Sequence, residues 1–232
     1  MTAGVVEEPG FKIIMVSSDE DGCRFYLDQY KPFRLTSLQV DAEAFGSTYA
    51  REIRFSDEEW LARVRNPSSV TFVVAVRSAD DDDRVVASTS LIGPLPNRAS
   101  NPYQVVSTSR DGESSIVNSS NNKPEGKENK PLQQHYQMAA VYTSPEARGR
   151  GLAKSLIKAA TEEARKRAAA ALSLSVVVYA ENHAAISVYE RCGFVKSADG
   201  PKLRYNPHKG SSASELEMYF VGSSPWSNNT HS

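Results

Sequence analysis

Met138-Ala139-Ala140-Val141-Tyr142-Thr143-Ser144-Pro145-Glu146-Ala147-Arg148-Gly149-Arg150-Gly151-Leu152-Ala153-Lys154 is the stretch whose reading decides the fold of this chain. An apolar, strand-like run ends at Thr143. Glycines follow at 149 and 151, and an alanine-rich helical segment runs from Leu152 to about Ala170. A strand, a small-residue turn and a helix start together make an anion site, because the unpaired N–H groups and the positive end of the helix dipole face the turn. The glycines let backbone approach a ligand where a Cβ would block it. Arg148 and Arg150 point to a ligand that carries phosphate.

Working outward, order continues on the C-terminal side. Leu172 to Tyr179 reads as a strand, Asn182 to Arg191 as a helix, and Phe194 to Ser197 and Glu215 to Val221 as the last strands. On the N-terminal side, Phe11 to Val16 is a short β-rich run, and Cys23 to Val40 has helix-compatible spacing through Tyr26, Tyr30, Leu35 and Leu38. Ala42 to Ile53 holds a short helix or loop around Phe45 and Tyr49. Ser56-Asp57-Glu58-Glu59 reads as a capping box before the stripe Trp60, Leu61 and Val64, and Asn66-Pro67 stops that helix. Val70 to Val76 and Val85 to Ile92 form a hairpin around Asp80-Asp81-Asp82-Asp83. That acidic run reads as a solvated turn, since consecutive aspartates cannot all converge on one cation.

Between about 96 and 133 the composition turns to Ser, Asn, Lys, Glu, Gly and Pro, with little beyond Tyr103, Val105, Val106, Ile116 and Val117 to pack. This predicts a mobile insertion in a single domain spanning 11–222, with flexible ends at 1–10 and 223–232.

A net charge of −1 over 232 residues gives no field for nucleic acid or anionic membranes. Cys23 and Cys192 are far apart and match no metal spacing, which fits a reducing compartment. The first ten residues lack the apolar core of a signal peptide, and no run of about 18 apolar residues occurs. The expectation is a soluble protein of the cytoplasm or nucleus, monomer or homodimer, with no metal, nucleic-acid or membrane partner.

Three phosphate motifs compete for the glycine turn. A P-loop needs G-x-x-x-x-G-K-[ST]; Lys154-Ser155 supplies its ending, but Arg148 and Ala153 occupy both glycine positions. A dinucleotide fingerprint needs a third glycine where Lys154 stands. The third pattern, [QR]-x-x-G-x-[GA], is met by Arg148-x-x-Gly151-x-Ala153. In its context, Val141 to Ala153 resembles motif A of the GNAT superfamily of acyl-CoA N-acyltransferases. A second block, Asn182-His183-Ala184-Ala185-Ile186-Ser187-Val188-Tyr189-Glu190-Arg191-Cys192-Gly193-Phe194, resembles motif B, N-x-x-A-x-x-x-Y-x-x-x-G-F. Ala44 to Tyr49 looks like the segment over the acceptor site in some members.

The resemblance implies an α/β (α+β) fold: a central, mixed but mostly antiparallel twisted sheet of about six or seven strands, flanked by about four helices and splayed at the motif A strand. It implies acetyl-CoA as co-substrate, its pyrophosphate held by the amides of Gly149, Arg150, Gly151, Leu152, Ala153 and Lys154, with Arg148 and Arg150 flanking. Val141 and Thr143 are the implied backbone contacts to thioester and pantetheine, Asn182 and Ala185 the implied contacts from motif B, and Tyr189 the implied proton donor to the departing thiolate. Asn182 is equally suited to capping its helix, and Tyr189 to closing its helix on the sheet. For the proton of the attacking amine, Glu52, Glu217, His135 and a chain of waters are all open. Cys192, at a helix C-terminus where the dipole disfavours thiolate, reads as an inert thiol. The function implied is an N-acetyltransferase acting on a primary amine of a small molecule or peptide. A non-catalytic acyl-CoA-binding sensor or interaction module on the same fold is the alternative.

Overall fold

The computed structural model describes residues 5–8, 10–77, 83–95, 133–169 and 171–221. Asp80 to Asp82, the 96–132 part of the expected insertion and the tail from 222 lie outside the described residues.

β-branched runs set the sheet. Strands β3 (Ser69–Arg77) and β4 (Asp83–Leu95) pair antiparallel, as the flanking valines predict. Before them come β1 (Val5–Glu8) and β2 (Phe11–Met15), and after them β5 (Gln133–Thr143), β6 (Ala171–Tyr179), β7 (Phe194–Lys196), β8 (Lys202–Asn206) and β9 (Ser211–Phe220). They form one sheet of nine strands in the order β1-β2-β3-β4-β5-β6-β9-β7, with β8 also on β9. Only β5 and β6 run parallel among these pairs.

The mixed, mostly antiparallel sheet matches the expectation, with more strands than anticipated. Val5–Glu8, expected to be part of a flexible leader, pairs with Phe11–Ile14. The polar run Lys202–Asn206 pairs with Ser211–Glu215. Val5–Glu8 is too short to show a period, and the alternation of Leu203 and Tyr205 in Lys202–Asn206 leaves both apolar side chains exposed rather than in the core.

Six α-helices are described: α1 (Glu20–Phe25), α2 (Lys31–Val40), α3 (Tyr49–Glu52), α4 (Asp57–Val64), α5 (Leu152–Arg167) and α6 (His183–Arg191). Helix α4 starts at the expected capping box, Ser56 accepting from the Glu59 amide while Glu59 accepts from the Ser56 amide. A cap of this kind is worth about 1 kcal/mol. A π-helical turn over Tyr26–Tyr30 joins α1 to α2 and sets Tyr26 and Tyr30 against Trp60 and Val73.

The two faces of the sheet have different covers. On one face α5 lays Leu152, Leu156, Ile157, Ala160 and Ala164 along one stripe against Val86, Met138, Leu174 and Val176. On the other, the α1–α4 group covers Val73 and Val85, and Leu38 and Phe45 meet Tyr142. Along β5 and β6 this second face is polar: His135, Gln137, Ser173 and Ser175 are buried there.

Candidate active site

The parallel pairing of β5 with β6 runs from Gln133↔Ala171 to Met138↔Val176 and ends there. Its end coincides with an irregularity on the other edge of β5. Ser90 pairs with Ala139 and Ser88 with Tyr142, so Ala140 and Val141 together oppose Thr89. This is a β-bulge, with Ala140 at φ 52° and the Thr89 hydroxyl donating to the Ala139 carbonyl at 3.1 Å. The extra residue bends the strand, and β5 and β6 part.

The bulge also turns backbone toward the gap. Ser144 N–H donates to the Val86 carbonyl at 2.9 Å. Alternation along an antiparallel ladder then directs the Thr143 N–H and C=O away from β4, toward the side where β6 has diverged. Val141 lies inside the bulge itself.

The strand runs directly into the glycine turn. Gly149 and Gly151 have φ of +78° and +77°, conformations that cost an L side chain about 1–2 kcal/mol. A Cβ at either would meet nothing within 4 Å, so the space in front of the turn is open. Helix α5 has no side-chain cap on its N-terminal amides and no acidic residue in its first turn. A 16-residue helix whose N–H groups are left to an outside acceptor fits a phosphate-bearing ligand. Leu152 is 1% exposed, with its side chain in the core, so only its amide is available to a ligand. Arg150 and Lys154 are exposed at the turn. Arg148 is held differently: Nε donates to the Thr143 carbonyl at 3.1 Å and Nη2 to Asp41 Oδ2 at 2.7 Å.

In the second block, Asn182 caps α6, its Oδ1 accepting from the Ala185 amide at 3.0 Å. Gly193 ends the helix region at φ +84° and Phe194 returns the chain to the core. Tyr189 is 5% exposed, and its ring stands edge-on to Phe194 at 5.7 Å. Burial pushes the Cys192 thiol up to about 11, although Lys154 and Arg191 pull the other way. It is a protonated core thiol, as expected.

Across the parted strands lies the segment Ala42 to Thr48. The Phe45 ring is 5.1 Å from that of Tyr142 on β5, while the Tyr179 hydroxyl on β6 donates to the Phe45 carbonyl at 3.3 Å. The β8–β9 hairpin holds the same segment, Asn206 Nδ2 donating to the Gly46 carbonyl at 2.8 Å and Lys209 Nζ to the Ala42 carbonyl at 3.0 Å. This segment therefore roofs the gap on the face opposite α5.

The candidate bases are separated by their surroundings. Glu52 is buried and receives Arg34 through Nη2 at 2.9 Å and Nε at 3.2 Å, and Arg63 Nη1 at 3.2 Å. Burial pushes its carboxyl up, but the two guanidiniums outweigh that and hold it at about 2. A carboxylate so stabilised is a poor proton acceptor. Both ring nitrogens of His135 are within hydrogen-bond reach of serines on β6, Nδ1 at 3.1 Å from Ser173 and Nε2 at 3.2 Å from Ser175. Glu217 stands on β9 opposite Val177. Two residues away, Glu215 pairs with Tyr179, in the part of β6 that has left β5. Its side chain is 17% exposed, and burial pushes its carboxyl above the ordinary range, with Arg204 at 3.6 Å opposing. Sequence reasoning passed over Glu215, although the two-residue spacing to Glu217 puts both on one strand face.

The model of the acetyltransferase (GNAT) family matches residues 37–194, more than half of the chain and both glycine-turn and second-block motifs. The chain belongs to the GNAT acetyltransferase family. Solved structures share the fold of this GNAT chain at low identity. Spermidine N-acetyltransferase from Vibrio cholerae, in complex with CoA and spermine, has a TM-score of 0.52 at 16% identity, covering 92% of this chain and 96% of that one. Arabidopsis thaliana NAA60 in complex with acetyl-CoA gives 0.55 at 12% identity, covering 90% and 97%. An acetyltransferase of the GNAT family from Streptococcus pneumoniae gives 0.55 at 12%, covering 90% and 98%. No curated protein sequence matches the GNAT chain.

Proposed function

We propose that this GNAT chain is an N-acetyltransferase that passes an acetyl group directly from acetyl-CoA to a primary amine of a small molecule or peptide. The observation that carries the proposal is the N-terminus of α5, without a side-chain cap, opening on a glycine turn at the end of a bulged strand. A pyrophosphate supplies the acceptors that those amides lack, with Arg150 and Lys154 adding positive charge.

The amides from Gly149 to Lys154 hold the pyrophosphate, and the backbone at Val141 and Thr143 lines the path of the pantetheine arm toward the gap. Donors fixed in the bulge stabilise charge as it grows on the thioester oxygen. Asn182 and Ala185 border the same path from α6, and Asn182 does so while capping the helix. Tyr189 gives the departing thiolate its proton, since a phenol is protonated at neutral pH and can donate. Glu215 takes the proton of the attacking amine, directly or through water: its raised affinity for protons brings it closer to the working range of a base than Glu52. The acceptor enters beneath the Ala42–Thr48 roof. Release of free CoA, followed with a thiol reagent against polyamines, amino acids, aminoglycosides and peptides, tests the proposal. Turnover with at least one class is expected. Tight CoA binding with no release across the panel would overturn it.

A further inference from the structure

Asp41 ends α2 and collects two donors on one oxygen, the Tyr142 phenol at 2.6 Å and Arg148 Nη2 at 2.7 Å. Tyr142 belongs to the bulged strand, Arg148 to the glycine turn, and Asp41 is followed directly by the segment that roofs the gap. The Arg148 fork is completed by its bond to the Thr143 carbonyl, and its guanidinium lies 5.9 Å from the Tyr142 ring centroid. Burial and the Asp41 acceptor both keep the phenol protonated, so it remains a donor at any ordinary pH. The charge of Arg148 is met by Asp41, and Arg150 and Lys154 are exposed at the same turn. A planar guanidinium can satisfy a backbone carbonyl and a carboxylate at once, which a lysine ammonium on a flexible stem does less well.

We infer that Asp41, Tyr142 and Arg148 form a joint that couples the glycine turn to the roof over the acceptor side, with Arg148 a positioning residue and not a phosphate ligand. The inference rests on the acyl-CoA reading of the turn. Its consequence is that filling the turn and ordering the roof are one event: a loss at Asp41, remote from the pyrophosphate amides, reaches the donor, and a loss at Arg148 reaches the amine.

The test uses the full chain with Asp41→Asn, Arg148→Gln and the double variant, assayed with acetyl-CoA and with acetyl-pantetheine, which lacks the pyrophosphate. Each single variant is expected to lower kcat/KM by about threefold to thirtyfold, the usual span for coupling residues. The factor is larger with acetyl-CoA, which fills the turn, than with acetyl-pantetheine; it is alike for the two variants, and KM for the amine rises in each. The double variant is no worse than the poorer single one. A loss with acetyl-CoA in Arg148→Gln that Asp41→Asn does not share would make the guanidinium a phosphate ligand and overturn the joint. So would multiplicative losses in the double variant, or no loss in the singles. The same cycle read by thermal unfolding without any donor keeps the joint separate from the acyl-CoA reading. Non-additive Tm losses support the joint even if the wild-type chain releases no CoA, and additive ones overturn it.

Discussion

Replacing Glu52 with Gln should cost stability rather than chemistry. Its carboxylate is 2% exposed and takes three hydrogen bonds from two arginines, of which Arg34 is itself only 6% exposed. The shift from 4.5 to about 2 corresponds to about 3 kcal/mol, at 1.36 kcal/mol per unit. Glutamine would leave the Arg34 charge buried without its counter-charge, a change that costs ~3–5 kcal/mol in other buried pairs. For a chain of this size the loss lowers Tm by about 6–12 °C. The sign with pH follows from the depressed affinity for protons: the stabilisation is complete above the ordinary carboxylate value of 4.5 and is lost as pH falls toward about 2. Urea unfolding from pH 7 down to pH 3 should therefore show the wild-type advantage shrinking below about pH 5. A variant within about 1 kcal/mol of wild type at pH 7, or a gap that ignores pH, would refute the reasoning. Turnover at a temperature where both proteins are folded should stay within severalfold, whereas a loss of about a hundredfold would mark Glu52 as the base after all.

Other substitutions probe the donor and acceptor sides. Gly151→Glu should weaken CoA binding at least tenfold by calorimetry (~1.4 kcal/mol), because it forces a side chain into φ +77° and sets a negative charge at the amides; unchanged affinity in a folded variant removes the pyrophosphate from this turn. Tyr189→Phe should lower kcat with little change in CoA affinity, and equal turnover would leave Tyr189 a packing residue against Phe194. Glu215→Gln should lower kcat and abolish the fall in rate on the acid side of the pH profile, since a base with raised proton affinity loses its active form as pH drops. A variant that keeps the wild-type acid limb assigns that proton to another group.

Much of this was legible because it is local. The capping box at Ser56, the glycine turn at Gly149 to Gly151 and the Asn182 cap each depend on residues a few positions apart. The bulge at Ala140 is different: it exists only in the register between β4 and β5, strands joined across a long segment, and no residue in Ala139-Ala140-Val141 announces it. The fate of the base candidates was hidden for the same reason. Arg34, Arg63 and Glu52 come from three helices or their flanks, and His135 meets its serines only through strand pairing. Arg148 shows the limit most clearly, since its motif position suggested phosphate while its partner Asp41 stands 107 residues earlier.

The long segment between β4 and β5 leaves the sheet at Leu95 and returns at Gln133, with Leu95 paired to His135. The glycine turn leaves the opposite end of β5 after Thr143, about 25 Å away at the usual rise along a strand. A change in that segment's length therefore acts through attachment points at the far end of β5 from the glycine turn. It also makes Leu95/Gln133 a port for engineering, where a reporter or affinity module could be spliced between the two strands with its attachment points remote from the glycine turn.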